Sequence, residues 1–357
     1  MMINDKKRTV GVVIGLGSMG KRRVRDLKAL GVKLYGYDIR EDRCKEVENL
    51  FDIQTVQNLI QVTDLKPDFI VISTPPDTHY ELYKFCFEQK IHFFSEANIL
   101  TPAVSWFEKN ELESTVYGIP SGSWRFHPSF LQLRKLINGM SLEINSIHLN
   151  YSEFLPDWHP WEEYDQFYAG QEKTYAAREM VPFEFDALTF LVGRIKKVNC
   201  VTGRTYPWKT KINDYYHIHF ESETGIIGTL NIELSSIIPS RKLTISCYKK
   251  YYFLETSSDS SKTTQGSIAE YSIENNTWKY HFPETMRIKG GFDFEEMYTN
   301  EIKAFLLFIR NESKNYPKTW KDDRHLSDIL YACELSNVEG KWVNIEDISD
   351  NYTGRKL

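Results

Sequence analysis

The sequence predicts an α/β N-terminal domain built on a parallel sheet, followed by an α+β C-terminal domain with an open, largely antiparallel sheet. Three observations lead there. From residue 9 to about 122, short apolar runs alternate with helix-period segments, as in a sheet covered by helices. After about residue 123 the pattern changes to alternating strands separated by turn residues. The length, 357 residues with 41% hydrophobic and 14% aromatic content, exceeds the ~100–200 residues of a single domain. The expected division is 1–122 and 123–357.

In the first part, residues 9–14, 33–37, 68–73 and 91–95 read as strands, and 20–30, 41–50 and 78–89 as helices. The run Asp68-Phe69-Ile70-Val71-Ile72-Ser73 is apolar without alternation, as expected of a strand buried on both faces. In the second part a helix at 129–138 precedes an irregular Trp/Tyr-rich stretch at 151–175. A helix at 182–191 follows, opened by Pro182 in its first turn. Strands are expected at 199–206, 215–221, 226–233, 242–248 and 251–255, a serine-rich loop at 257–261, and closing helices at 294–309 and 325–340.

The segment Gly15-Leu16-Gly17-Ser18-Met19-Gly20 lies between a strand and a helix, and a second strand leads into Asp38 about 20 residues on. That context marks the phosphate-binding turn of a Rossmann-type domain. Gly15 permits the tight turn, Gly17 a close backbone approach to the diphosphate, and Gly20 tight helix–strand packing. Asp38 would accept hydrogen bonds from the adenine ribose and repel a 2′-phosphate, which favours NAD. Arg40, beside Ile39, leaves NADP open: it could clamp a 2′-phosphate, stack on adenine, or belong to the solvated run Arg40-Glu41-Asp42-Arg43. Thr74-Pro75-Pro76 follows the buried strand that ends at Ser73, on the sheet edge where nicotinamide is expected, or else forms a plain proline turn. His79, in the next helix, reads as a packing histidine or a cofactor neighbour.

With 44 basic and 49 acidic residues, a formal charge of −5 and no long run of one sign, a nucleic-acid or membrane partner is not expected. A small molecule is. Five scattered cysteines without Cys-x-x-Cys spacing argue against a disulfide framework or a zinc ribbon. The N-terminal segment has no signal-peptide pattern and no apolar run approaches ~18 residues, so a cytoplasmic protein is expected.

Gly15 to Gly20, Asp38, the run from Ile70 to Pro75 with His79, Glu96 after a strand, Arg125-Phe126-His127-Pro128, Asp186 and the closing Ser336 to Lys341 together resemble the glucose-fructose oxidoreductase/inositol dehydrogenase (Gfo/Idh/MocA) family over nearly the whole chain. The resemblance implies an NAD(P)-dependent dehydrogenase of a sugar or nucleotide sugar, held between the nicotinamide and the second sheet. It also implies a homodimer or homotetramer. Two positions depart from the family pattern. Its Glu-Lys-Pro is here Glu96-Ala97-Asn98, without the lysine, and the histidine of its second motif corresponds to Phe183 within Glu179 to Asp186. The stretch from Leu155 to Tyr164, with Phe167-Tyr168 and Arg178 to Glu184, resembles a branch associated with surface-sugar biosynthesis that also lacks the histidine.

Oxidising a sugar hydroxyl requires a base near the nicotinamide. Glu179 and Glu184 come from the corresponding segment, although Glu184 could simply favour the dipole of a helix begun at Pro182. Arg178 would suit an anionic substrate group. Arg125, His127, His159, Tyr168 and Asp186 are further substrate-binding candidates. The aromatic cluster Trp158, Trp161, Tyr164, Phe167, Tyr168 could stack on a sugar or pack as core. His217, His219 and Glu221 share a strand face but lack the third close ligand and supporting shell of a metal site, so no metal is expected. The competing expectation is a dinucleotide-bound sensor or regulatory protein of the same fold, which the missing lysine and histidine would permit.

Overall fold

The computed structural model describes residues 9–97, 101–111, 115–139, 143–160, 162–256, 266–283 and 295–348. The chain divides into two compact units, Met1–Ser123 with Tyr298–Asp323, and Trp124–Met297 with Arg324–Leu357. Residues 298–323, grouped by sequence with the second domain, thus return to the first. Apolar contact is the reason: Ile302, Phe305 and Leu306 are buried in the core of unit 1, where Phe305 meets Phe69 and Phe94 edge-on with centroids 5.3 and 5.5 Å away.

Unit 1 holds a six-stranded parallel sheet of β1 (Val10–Ile14), β2 (Lys33–Tyr37), β3 (Gln54–Thr55), β4 (Phe69–Ile72), β5 (His92–Ser95) and β6 (Gly118–Pro120), in the order β3-β2-β1-β4-β5-β6. The order reverses direction at β1, placing the ends of β1 and β4 at the switch point where such sheets take ligands. All four residues of β4 are buried, as its unbroken apolar run requires. On one face Val12, Ile14, Ile70, Ile72 and Phe93 pack with Tyr83 of α4 (His79–Glu88), Phe107 of α5 (Thr101–Glu111) and Trp320. On the other, Val13, Val71 and Phe94 pack with Val24 and Leu27 of α1 (Ser18–Ala29), Val47 of α2 (Glu41–Phe51), and Phe305 of α8 (Glu296–Ile309). The short helix α3 (Leu59–Asp64), not anticipated from periodicity, starts because the Asn58 carboxamide accepts from Gln61 N–H.

Unit 2 contains a nine-stranded sheet in the order β14-β13-β12-β11-β7-β10-β9-β8-β15; β7 (Ile144–Phe154) runs parallel to β10 (Ile227–Glu233), and the other pairings are antiparallel. The remaining strands are β8 (Ile195–Gly203), β9 (Tyr215–Ser222), β11 (Ser235–Cys247), β12 (Lys250–Glu255), β13 (Ile268–Ser272), β14 (Thr277–His281) and β15 (Val343–Asn344). The central β7 was not expected from sequence, because its alternation of buried Ile147, Leu149 and Tyr151 with polar residues runs into the irregular segment that follows. One face of the sheet is covered by α6 (Pro128–Ile137), α7 (Ala176–Val192) and α9 (Trp320–Glu339), with Phe185 meeting Phe220 edge-on at 5.4 Å and Ser336 Oγ accepting from Cys200 N–H. The opposite register positions carry Asn150, His217, His219 and Asn231.

Helix α7 begins at Ala176, six residues before the expected start, and Pro182 lies inside it. A proline there costs roughly 3 kcal/mol. Burial of Ala176, Ala177, Val181 and Phe185 offsets it, and Arg178 is anchored by a buried ion pair. Consequently the acidic residue of the first turn is Glu179, not Glu184. All five cysteines are free and buried, and no described helix is long and apolar enough to cross a membrane.

Candidate functional site

In unit 1 the glycine turn is over-determined by sterics. Gly15 has φ +88°, and a Cβ there would sit 2.6 Å from the Ser73 backbone. A Cβ at Gly20 would lie only 1.8 Å from the Gly15 carbonyl oxygen, so the helix approaches the turn more closely than any side chain permits. Gly17 is the N-cap of α1 and provides no side-chain cap. The amides of Ser18, Met19 and Gly20 therefore open a helix whose N–H groups and dipole suit an anionic diphosphate. Leu16 is fully buried beneath the turn, and the Ser73 hydroxyl at the end of β4 is buried without a hydrogen-bond partner among the described residues.

Asp38 Oδ2 accepts from Leu16 N–H at 2.7 Å and Oδ1 from Arg40 N–H at 2.9 Å. This fixes the carboxylate beside the turn and leaves lone pairs for ribose hydroxyls. These features fit the adenosine diphosphate half of NAD. Ile39 is 91% exposed and makes no core contribution. The Arg40 guanidinium binds Asp42 at 3.1 and 2.6 Å, and that pairing holds the Asp42 carboxyl down at about 2. The Arg43 guanidinium approaches Asp38, with Nη1 3.9 Å from Asp38 Oδ2.

The loops after β4 and β5 are cross-braced from below. His79 is fully buried; its Nε2–H donates to the Thr74 carbonyl at 2.8 Å, while Thr78 Oγ1 donates to the Pro75 carbonyl at 2.8 Å and accepts from the Thr74 hydroxyl at 2.6 Å. Tyr83 OH and Ser95 Oγ are 2.7 Å apart, and Ser95 Oγ donates to the Glu96 carbonyl at 2.9 Å. Burial pushes the His79 pKa down to about 4, so its ring is neutral and serves as a brace. Fully buried, it holds the Thr74 loop, the packing role that the sequence left open beside a place next to the cofactor. Glu96 pairs with Arg23 at 2.6 Å, and Arg23 reaches Glu301 at 2.6 Å. Glu301 also accepts from Ser121 Oγ, Gly122 N–H and Ser123 Oγ at 3.0, 2.6 and 3.0 Å. Ala97 is half-buried, and Asn98 lies outside the described residues.

In unit 2 Arg125, Arg178, Glu184 and Asp186 are held in buried ion pairs. Arg178 binds Glu334 through Nε at 2.5 Å, so it is not presented to an anionic substrate. Arg125 binds Asp186 Oδ1 through Nε at 3.0 Å and Nη2 at 2.9 Å. Glu184 is fully buried, and its Oε1 accepts from Arg241 Nε and Nη2 at 3.1 and 2.8 Å. Burial pushes its carboxyl pKa up against the pull of Arg241. The fork engages one oxygen alone, and Oε2 is buried without a hydrogen-bond partner among the described residues, so the fold uses this catalytic candidate first as the counter-ion of Arg241. The Arg241 guanidinium lies 4.8 Å from the Trp124 ring centroid and 4.4 Å from that of Tyr151. His127 caps α6, its Nδ1 accepting from Ser129 N–H at 3.2 Å, and burial followed by the charge of Arg241 pushes its pKa down to about 3. Buried and neutral, the ring serves the fold as a helix cap.

Glu179 differs. It is half-buried in the first turn of α7, and Tyr168 OH donates to its Oε1 at 3.3 Å. Nearby in sequence, Trp158 Nε1–H is buried without an acceptor among the described residues, and His159 lies 4.5 Å from Phe167 by ring centroid, tilted 32°. Tyr164 packs edge-on against Trp208 at 5.2 Å, and its hydroxyl accepts from Lys209 N–H. Trp161 lies outside the described residues. Trp208 and the 204–214 loop, organised by Asp214 accepting from Thr205 N–H, Tyr206 N–H and Trp208 Nε1–H, were missed from sequence. Arg241 was missed as well, though a signal existed: it shares the buried register of β11 with Leu243, Ile245 and Cys247.

Residues 10–111 match the model of an oxidoreductase family with an NAD-binding Rossmann fold, and residues 130–252 match the GFO/IDH/MocA C-terminal domain. No curated protein matches the chain. Among solved structures, levoglucosan dehydrogenase in complex with NADH and levoglucosan has a TM-score of 0.82 at 14% identity, covering 96% of this chain and 100% of that one. An oxidoreductase from Agrobacterium radiobacter in complex with NAD+, L-tartaric acid and magnesium gives 0.80 at 13% identity, covering 95% and 99%. GenD2 from gentamicin A biosynthesis, in complex with NAD, gives 0.77 at 16%, covering 94% and 96%. At such identities the likeness is one of fold.

Proposed function

The chain belongs to the Gfo/Idh/MocA family of oxidoreductases, with an NAD-binding Rossmann domain, and we propose that it transfers a hydride between NAD and a hydroxyl of a sugar or nucleotide sugar in surface-sugar biosynthesis. The fold shared with levoglucosan dehydrogenase supports the sugar class. Bound NAD supplies the hydride acceptor. Unit 1 contributes binding and orientation: the α1 amides take the diphosphate, Asp38 takes the adenine ribose, and the loop braced by His79 positions Thr74 and Pro75. Unit 2 contributes the proton chemistry.

The observation that carries this reading is the Tyr168–Glu179 couple. Glu179 occupies the first turn of α7 and is half-buried, whereas Glu184 is fully buried with one oxygen paired to Arg241. Glu179 takes the proton of the reacting hydroxyl, and the Tyr168 hydroxyl orients its carboxylate and offers an acceptor to the same substrate. The buried Trp158 Nε1–H is a donor suited to a sugar oxygen. Glu179→Gln is expected to lower kcat by about 10²–10⁴ with an unchanged Kd for NADH, because general-base catalysis typically contributes that much. Assay against a panel of pyranoses and nucleotide sugars tests it, and normal turnover in the variant refutes the assignment. The alternative, a dinucleotide-bound sensor, draws on Ala97 and Phe183 standing where the family has lysine and histidine. It predicts NADH binding with no hydride transfer to any sugar of the panel.

A further inference from the structure

We propose that Glu301 and Lys318 are positioning residues: together they tie every passage of the chain out of unit 1 to the Glu96 loop, so that occupancy of the cofactor site is felt at those passages. The chain crosses between the two units three times, at Ser123/Trp124, Met297/Tyr298 and Asp323/Arg324. At each crossing the unit 1 residue is held by the same buried polar cluster. Ser123 Oγ donates to Glu301 Oε2 at 3.0 Å, the Tyr298 carbonyl accepts from Arg23 Nη1 at 3.1 Å, and Asp323 Oδ1 pairs with Lys318 Nζ at 2.9 Å. Ser121 joins the two halves of the cluster: its hydroxyl donates to Glu301 Oε1 at 3.0 Å, and its carbonyl accepts from Lys318 Nζ at 2.5 Å. Arg23, Ser121, Ser123, Glu301, Lys318 and Asp323 are all buried.

At its other end the cluster reaches Glu96. Arg23 grips that carboxylate with Nε at 2.6 Å and Nη2 at 3.1 Å, and the same Nη2 donates to Glu301 Oε2 at 2.6 Å. The Glu96 side chain is 14% exposed whereas those of Arg23 and Glu301 are fully buried, so Glu96 is the member of this trio that a ligand can reach. A ligand donor at Glu96 competes with Arg23 for the same lone pairs, and the guanidinium answers by leaning on Glu301. Burial of such ions adds little to stability, because desolvation offsets their attraction. Ile302, Phe305 and Leu306 already dock α8 by apolar contact. What charge-assisted bonds add is a fixed geometry. Because cofactor binding and proton chemistry are assigned to different units, joined along the chain by these three passages, the cluster acts on the reaction without touching substrate. This rests on that assignment and on the nicotinamide end of the cofactor lying at Glu96.

The test is hydrogen–deuterium exchange of the full chain, read by mass spectrometry, since Gly122 N–H donates to Glu301 Oε1 at 2.6 Å and its exchange reports the cluster directly. In the native protein, saturating NADH is expected to slow exchange around Ser123, Tyr298 and Asp323 by at least about fivefold, the low end of ordinary coupling between sites. ADP, which lacks the nicotinamide nucleoside, should slow none of them. Glu301→Gln should keep the NADH Kd within about threefold yet lose the protection at Ser123 and Tyr298. Lys318→Met should lose it at Asp323 and keep it at Tyr298, and Lys318→Arg should restore it. A merely structural role would instead raise exchange throughout unit 1, β2 and β4 included, without ligand. The proposal is overturned by that result, by bound NADH that leaves the native passages unchanged, or by full protection in Glu301→Gln. Should Glu301→Gln fail to fold, Ser123→Ala decides: it must lose the effect at its own passage and keep that at Asp323. NADH binding is followed separately by nicotinamide fluorescence. Absence of binding to the native protein refutes the cofactor assignment and the coupling with it, whereas binding without protection refutes the coupling alone.

Discussion

Acidification is expected to weaken unit 1 through His79. The ring is fully buried, and burial pushes its pKa from 6.5 to about 4, with the Thr74 hydrogen bond and Asp77 opposing that shift. An unfolded chain binds a proton at this residue near pH 6.5, whereas the folded chain does not until about pH 4. The unfolded state therefore binds more protons between those values. The contribution is fully present above about pH 6.5 and is lost as pH falls through the window to about 4. At ~1.4 kcal/mol per pH unit, the gap amounts to about 3 kcal/mol. His79→Gln removes the titration while keeping a side-chain N–H to offer Thr74, at a cost of about 1–3 kcal/mol if the carbonyl is left unsatisfied. Urea unfolding of both proteins at intervals from pH 7.5 to 4.5 isolates the residue, since every other titrating group, His127 included, is common to both. The native protein should lose about 3 kcal/mol more than the variant across the window. Parallel stability profiles would refute the reasoning. A second readout follows from the brace: His79→Leu should weaken NADH more than ADP-ribose, which lacks the nicotinamide.

The remaining expectations concern the turn and the buried ion pair. Gly20→Ala places a Cβ 1.8 Å from the Gly15 oxygen, so the turn must open by more than 1 Å before ordinary contact is reached. Loss of one or two charge-assisted amide contacts to the diphosphate should raise the NADH Kd at least about 100-fold by calorimetry; a change under about fivefold would contradict the steric account. Arg178→Met leaves Glu334 buried and unpaired and is expected to cost about 3–5 kcal/mol in denaturant unfolding. The double variant with Glu334→Leu should recover most of that loss, and a single variant of native stability would show that the pair carries no weight.

The cofactor end of the protein was legible in the sequence because its determinants are local. Gly15, Gly20 and Asp38 are linked by one strand, turn, helix and strand, and backbone sterics at Gly15 and Gly20 dictate the geometry of the turn. The parallel sheet was legible for a similar reason: a fully apolar run such as β4 requires cover on both faces. The second unit was harder to read. Its helix α7 overruns the proline that was expected to begin it, since burial of the preceding turn outweighs a local preference.

Sequence by itself thus determined the strand–turn–helix that receives NAD and the two-part architecture. Only the tertiary structure decided which charges remain available for chemistry. Glu184 and Arg241 are 57 residues apart, and Arg178 and Glu334 are 156 apart; each pair meets because strand order and helix packing bring its members together. A buried charge must find a counter-ion, but spacing along the chain does not say which one; that is settled by the fold.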